Sequence, residues 1–153
     1  MPQYKTHLVG GFFTFLLIFL LFQSTNIFGQ YSFFYLISCL LGSLFPDIDT
    51  KSMIQKILYF VLFIITIVAV LAKQWEVAAF ISVLSLIPIM VNHRKLTHRV
   101  WFVIIVPLSI PIVTFYYNKG IIIPIFVSYL FFVAGALSHI LLDFGIFGLF
   151  KRK

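Results

Sequence analysis

Four histidines and four acids carry most of the reactive chemistry of this 153-residue chain: His7, His93, His98 and His139, with Asp47, Asp49, Glu76 and Asp143. All but Glu76 fall at spacings that suit metal ligands. His139 and Asp143 are four apart, so on a helix they share one face and form half of a metal site. Asp47 and Asp49 stand in Phe45-Pro46-Asp47-Ile48-Asp49. The proline ends or kinks a helix. In an extended segment after it, residues two apart point the same way, so both carboxylates reach one cation. His93-Arg94-Lys95-Leu96-Thr97-His98 gathers two imidazoles, a guanidinium and a hydroxyl, at a spacing that fits a loop or helix start. Imidazole and carboxylate donors suit zinc, with manganese or iron as alternatives. The single cysteine, Cys39, sits inside an apolar run, so no thiolate is offered and no intrachain disulfide forms.

Each group also has a plainer use. His7 can be an interfacial residue. Asp47 and Asp49 can cap the helix that follows them. His93 and His98, among Arg94, Lys95 and Arg99, can form a basic patch for lipid headgroups. Asp143 resists such a reading, because a carboxylate in an apolar helix costs about 2.5–3.5 kcal/mol at the membrane centre. The three aspartates would also repel one another if gathered without a cation. Together the groups favour a shared divalent metal.

The elements that position these residues follow from composition. Hydrophobic residues make up 62% of the chain and charged residues 10%, with a mean hydropathy of +1.13. A soluble domain is about half apolar and a quarter charged. The expected class is therefore all-α, a polytopic helical bundle in the membrane, with residues 1–153 as one membrane domain. Six apolar runs cover about 8–22, 31–45, 57–72, 77–91, 100–117 and 121–142. None alternates with the period of two that a transmembrane barrel requires. The first run lacks a small-residue cleavage site after it and reads as a retained helix.

Lys and Arg number nine on the termini and connections of one side, against Lys73 and Lys119 on the other. The positive-inside rule makes the first side cytoplasmic, with both termini inside. His7, Asp47, Asp49, His93, His98, His139 and Asp143 all fall at that face, and only Glu76 lies opposite. The net charge of +7 is spread as helix-end anchors, which argues against nucleic-acid binding and for contact with membrane lipids.

Four motifs carry a resemblance. Thr6-His7 in the first helix, Phe45-Pro46-Asp47-Ile48-Asp49, His93-Arg94-x-x-Thr97-His98 and Ser138-His139-x-x-x-Asp143 resemble, in order, the YdjM-like family of bacterial inner-membrane proteins. That family is described as LexA-regulated, membrane-bound, predicted metal-dependent hydrolases, distantly similar to zinc-dependent phospholipase C and P1-type nucleases. The resemblance implies a phosphoester substrate. It differs here in having Thr50 where the family often has histidine, and Lys95 where it often has glycine.

On this reading His7, Asp47, Asp49, His93, His98, His139 and Asp143 hold metal or orient its ligands. Asp49 serves alternatively as a general base. Arg94 grips a phosphate oxygen with its fork. Thr97 steadies a ligand by a hydrogen bond or caps the fifth helix. A site at headgroup depth implies a lipid or amphiphilic phosphoester reaching it from the bilayer. Two other classes compete: a non-catalytic membrane scaffold or regulatory protein with a structural metal, and a metal transporter. A transporter calls for ionisable residues through the membrane middle, where this chain offers only mild groups such as Thr66, Ser82, Ser85, Thr114 and Ser128.

Overall fold

The computed structural model describes residues 4–25, 27–49, 53–90 and 97–151. Among these every regular element is helical: α1 (Tyr4–Phe22), α2 (Ser32–Leu44), α3 (Met53–Leu71), α4 (Trp75–Met90), α5 (Val100–Tyr117) and α6 (Ile122–Lys151), with short 3-10 turns at Phe45–Asp49 and Lys119–Ile121. The apolar runs anticipated all six helices. Three of them, α1, α5 and α6, include stretches long and apolar enough to cross a membrane. Their outer surfaces are greasy: Phe13, Leu17 and Leu21 of α1 and Ile105 and Ile112 of α5 are exposed. A water-soluble monomer does not display continuous apolar surface on this scale.

The chain divides into two compact units. One comprises Met1–Pro46 with His98–Lys153, and the other is Asp47–Thr97. The second unit is a hairpin of α3 and α4. Its turn closes with Lys73 N–H on the Val70 carbonyl and Gln74 N–H on the Ala69 carbonyl, both at 2.9 Å. This paired pattern ends a helix by turning one residue left-handed. Lys73 takes that position, with φ of 57°.

The first unit holds α1, α2, α5 and α6, and α6 packs against the other three. Two glycines set the closest approach. A Cβ on Gly42 of α2 would overlap the Phe132 carbonyl of α6, and a Cβ on Gly135 of α6 would overlap the Cys39 carbonyl of α2. The two backbones therefore touch, as small residues allow between membrane helices. One end of the unit is filled by Phe28, Tyr35, Cys39 and Phe131, with Phe15 and Phe19 against them. Tyr129 on α6 donates its hydroxyl to the Ile104 carbonyl of α5 at 3.1 Å.

Two expectations change. The segment after Pro46 is not extended but continues α2 as a 3-10 turn. Each residue of such a turn advances about 120°, so positions two apart no longer share a side. The proline ends the α-helix, as expected, but the backbone keeps curling. The sixth helix also runs beyond residue 142, to Lys151, and is interrupted at Gly145 (φ 65°, ψ 178°). That φ is one only glycine adopts readily.

Candidate metal centre

The helices of the first unit bring four reactive side chains to one end of the bundle. His7 lies in the first turn of α1, His98 just before α5, and His139 and Asp143 one turn apart on α6. Three imidazoles surround the Asp143 carboxylate. Nε2 of His139 is 3.2 Å from Oδ2 of Asp143, Nε2 of His98 is 3.7 Å from the same oxygen, and Nε2 of His7 is 3.5 Å from Oδ1. The rings of His7 and His139 stack with centroids 3.7 Å apart and planes 18° from parallel. His98 meets His139 edge-on and also leans against Phe144. His7 and His139 are fully buried, and Asp143 is 10% exposed.

Hydrogen-bond chemistry assigns the protons on His139. Its Nδ1 lies 2.7 Å from the Ser43 carbonyl, the last turn of α2. A carbonyl only accepts, so Nδ1 carries the hydrogen and donates it. In the neutral ring Nε2 then presents a lone pair, and that lone pair faces a carboxylate oxygen. Two acceptors at this distance need a cation between them. A proton would suffice for one ring. His7 and His98 can meet the same carboxylate as neutral rings that donate from Nε2. A divalent ion is the other cation that fits, since each ring can turn a lone pair to it.

The donor set fits such an ion. One ligand atom from each of His7, His139 and Asp143 lies within 4.8 Å of the others. His98 adjoins them through the same carboxylate. Oδ1 of Asp143 is buried and receives no hydrogen bond among the described residues. A metal-binding histidine typically gives its other ring N–H to a carbonyl or carboxylate, which fixes ring and tautomer. The His139–Ser43 bond has this form. Nitrogen and carboxylate donors without thiolate suit zinc, manganese or iron.

Local sequence explains the placement. Gly10 and Gly11 let α1 approach: a Cβ on Gly11 would stand 2.6 Å from the Ser43 hydroxyl oxygen, and one on Gly10 equally close to the Leu142 side chain. Gly42 and Gly135 bring α2 onto α6 beside the Ser43 carbonyl. Cys39 donates its S–H to the Gly11 carbonyl at 3.3 Å, a packing role.

The sequence model of the YdjM inner membrane protein family matches residues 1–146, nearly the whole chain. The chain belongs to the YdjM inner membrane protein family. Comparison with curated proteins and with solved structures yields no match.

Within this YdjM-family chain the expected site residues are distributed as follows. His7, His98, His139 and Asp143 come together in the first unit. Asp47 opens the second unit, in the 3-10 turn that continues α2, and Asp49 closes that turn with its side chain outside the described residues. His93, Arg94 and Lys95 also lie outside the described residues. Thr97 is buried, and the N-cap position of α5 belongs to Arg99 rather than to Thr97. The participant that residue types did not reveal is the Ser43 carbonyl, because every residue carries one and only the fold selects it.

Proposed function

We propose that this protein is a membrane-embedded, metal-dependent hydrolase that cleaves a phosphoester of a lipid or amphiphile at the cytoplasmic face. The observation that carries the reading is the His139 ring, held by the Ser43 carbonyl at Nδ1 and turned with Nε2 toward Asp143. That arrangement prepares a ligand rather than a packing histidine. His7, His139 and Asp143 hold the ion, with His98 beside them. Asp47, Asp49 and His93 are further ligand candidates on the sequence pattern alone, with Asp49 the alternative general base. When bound, zinc or a related divalent metal supplies a water pKa lowered toward ~7 and positive charge for a phosphoryl oxygen.

The chain's own groups do the rest. Asp143 offsets part of the ion's charge inside an apolar bundle. Ser43 keeps the His139 lone pair aimed. Arg94 binds a phosphate oxygen, and Thr97 steadies a neighbouring ligand. On the topology that the sequence pattern implies, six spans with both termini inside, the His7–Asp143 end lies at headgroup depth, where a lipid substrate enters sideways and water from the cytoplasm.

One observation favours a second reading. Within the first unit, three imidazoles and the Asp143 carboxylate make four donors, the number a closed structural zinc site takes. A scaffold or regulatory protein with a structural metal would use them so. The test is turnover by zinc-loaded protein in lipid nanodiscs, on a panel of phospholipids and isoprenoid phosphates, beside Asp143→Asn and Arg94→Ala. The hydrolase reading predicts phosphate or headgroup release that Asp143→Asn abolishes. Arg94→Ala keeps its zinc and loses most of the turnover. Zinc-loaded wild type that releases nothing from the whole panel contradicts the hydrolase and leaves the scaffold.

A further inference from the structure

Ser43 accepts from His139 although it stands in a run of helical backbone, where carbonyls are ordinarily taken by amides further along. At Phe45 the N–H donates to the Gly42 carbonyl, three residues back. This is the 3-10 pattern, and it continues through Phe45–Asp49. The next donor in that pattern is residue 46, and its acceptor is the Ser43 carbonyl. Residue 46 is proline and has no N–H. The Ser43 hydroxyl turns back onto the Leu40 carbonyl at 2.8 Å, so the group that reaches across to α6 is the backbone carbonyl. Pro46 is itself fully buried.

We infer that Pro46 is a positioning residue of the metal centre: by withholding its amide, it leaves the Ser43 carbonyl for His139 Nδ1–H, which fixes the tautomer that points a lone pair at Asp143. The inference rests on the metal reading above and deepens it. An alanine at 46 would add an N–H aimed along the helix axis. A carbonyl can accept two bonds, so the added donor re-aims and weakens the His139 bond rather than erasing it. Supporting contacts of this kind carry about 10–100-fold in metal affinity. The expected loss is at the lower end, about tenfold.

The test compares wild type, Pro46→Ala and Pro111→Ala, the last removing a buried helix proline away from the site. Two quantities are read: the ring tautomer of His139 in metal-free protein, from its imidazole nitrogen resonances, and zinc affinity by chelator competition. The inference predicts hydrogen on Nδ1 in wild type, a mixed tautomer in Pro46→Ala with about tenfold weaker zinc, and neither change in Pro111→Ala. An unchanged tautomer and affinity in folded Pro46→Ala overturns it. Should Pro46→Ala fail to fold, the wild-type tautomer decides, since hydrogen on Nε2 overturns the inference by itself. Wild type that takes up no zinc contradicts the metal reading instead, and the metal-free tautomer still decides the part of the proline.

Discussion

His7 and His139, on helices at opposite ends of the chain, stack ring on ring with centroids 3.7 Å apart and both turn Nε2 to the same Asp143 carboxylate. Two buried imidazoles so placed cannot both be charged without strong repulsion. A divalent ion held by one ligand atom from each of His7, His139 and Asp143 is one arrangement that satisfies the set.

Replacing Asp143 with asparagine keeps the side-chain shape and removes the charge. Zinc affinity should fall about 100-fold or more, beyond what the loss of a supporting contact costs. Competition with a zinc-binding dye measures it. Affinity within a few-fold of wild type would remove Asp143 from the centre.

Metal should also stabilise the fold. A ligand that binds only the folded state at 100 times its dissociation constant adds about 2.7 kcal/mol. Thermal unfolding in detergent should therefore move to higher temperature with zinc and back with chelator. Asp143→Asn should show no such response. A response of equal size in the variant would place the stabilising metal elsewhere.

Gly135→Ala tests the α2–α6 contact. Its Cβ would overlap the Cys39 carbonyl and stand 3.0 Å from the Ser43 amide, both backbone atoms. The helices must part, at a cost of about 1–3 kcal/mol for overpacking. Because Ser43 lies at the point of overlap, zinc affinity should drop along with the melting temperature. A variant as stable as wild type would show that the contact is looser than described.

Tyr129→Phe separates general stability from the site. It removes the hydroxyl bond to the Ile104 carbonyl that ties α6 to α5. Hydrogen bonds between membrane helices average about 0.6 kcal/mol. The expected result is a slightly lower melting temperature with zinc affinity unchanged. A large loss of affinity would mean that the α5–α6 tie also sets the metal geometry.

Much of the fold is legible in the sequence. Apolar runs located the six helices because lipid-facing and core-facing positions alike exclude charge, and the fifth run ends where α5 does. The four-residue spacing of His139 and Asp143 on one helix carried their pairing directly. Three features were hidden. The polar first turn of α1, from Tyr4, is helical without being apolar, so hydropathy started the helix late. The turn after Pro46 was expected extended, because a proline signals the end of an α-helix without choosing between a strand and a tighter helix. The Ser43 carbonyl left no mark, since backbone groups become specific only when packing aims them. The glycines were visible as residues that could bring helices close; which pairs they join, Gly42 with Phe132 and Gly135 with Cys39, required the fold.

The most direct test of the central claim is the metal content of purified, detergent-solubilised protein by elemental mass spectrometry, for wild type, His139→Ala and Asp143→Asn. The account predicts about one tightly held zinc, manganese or iron ion per wild-type chain, lost in both variants while helix content is kept. Folded wild type that carries no metal and takes up none on soaking would contradict it.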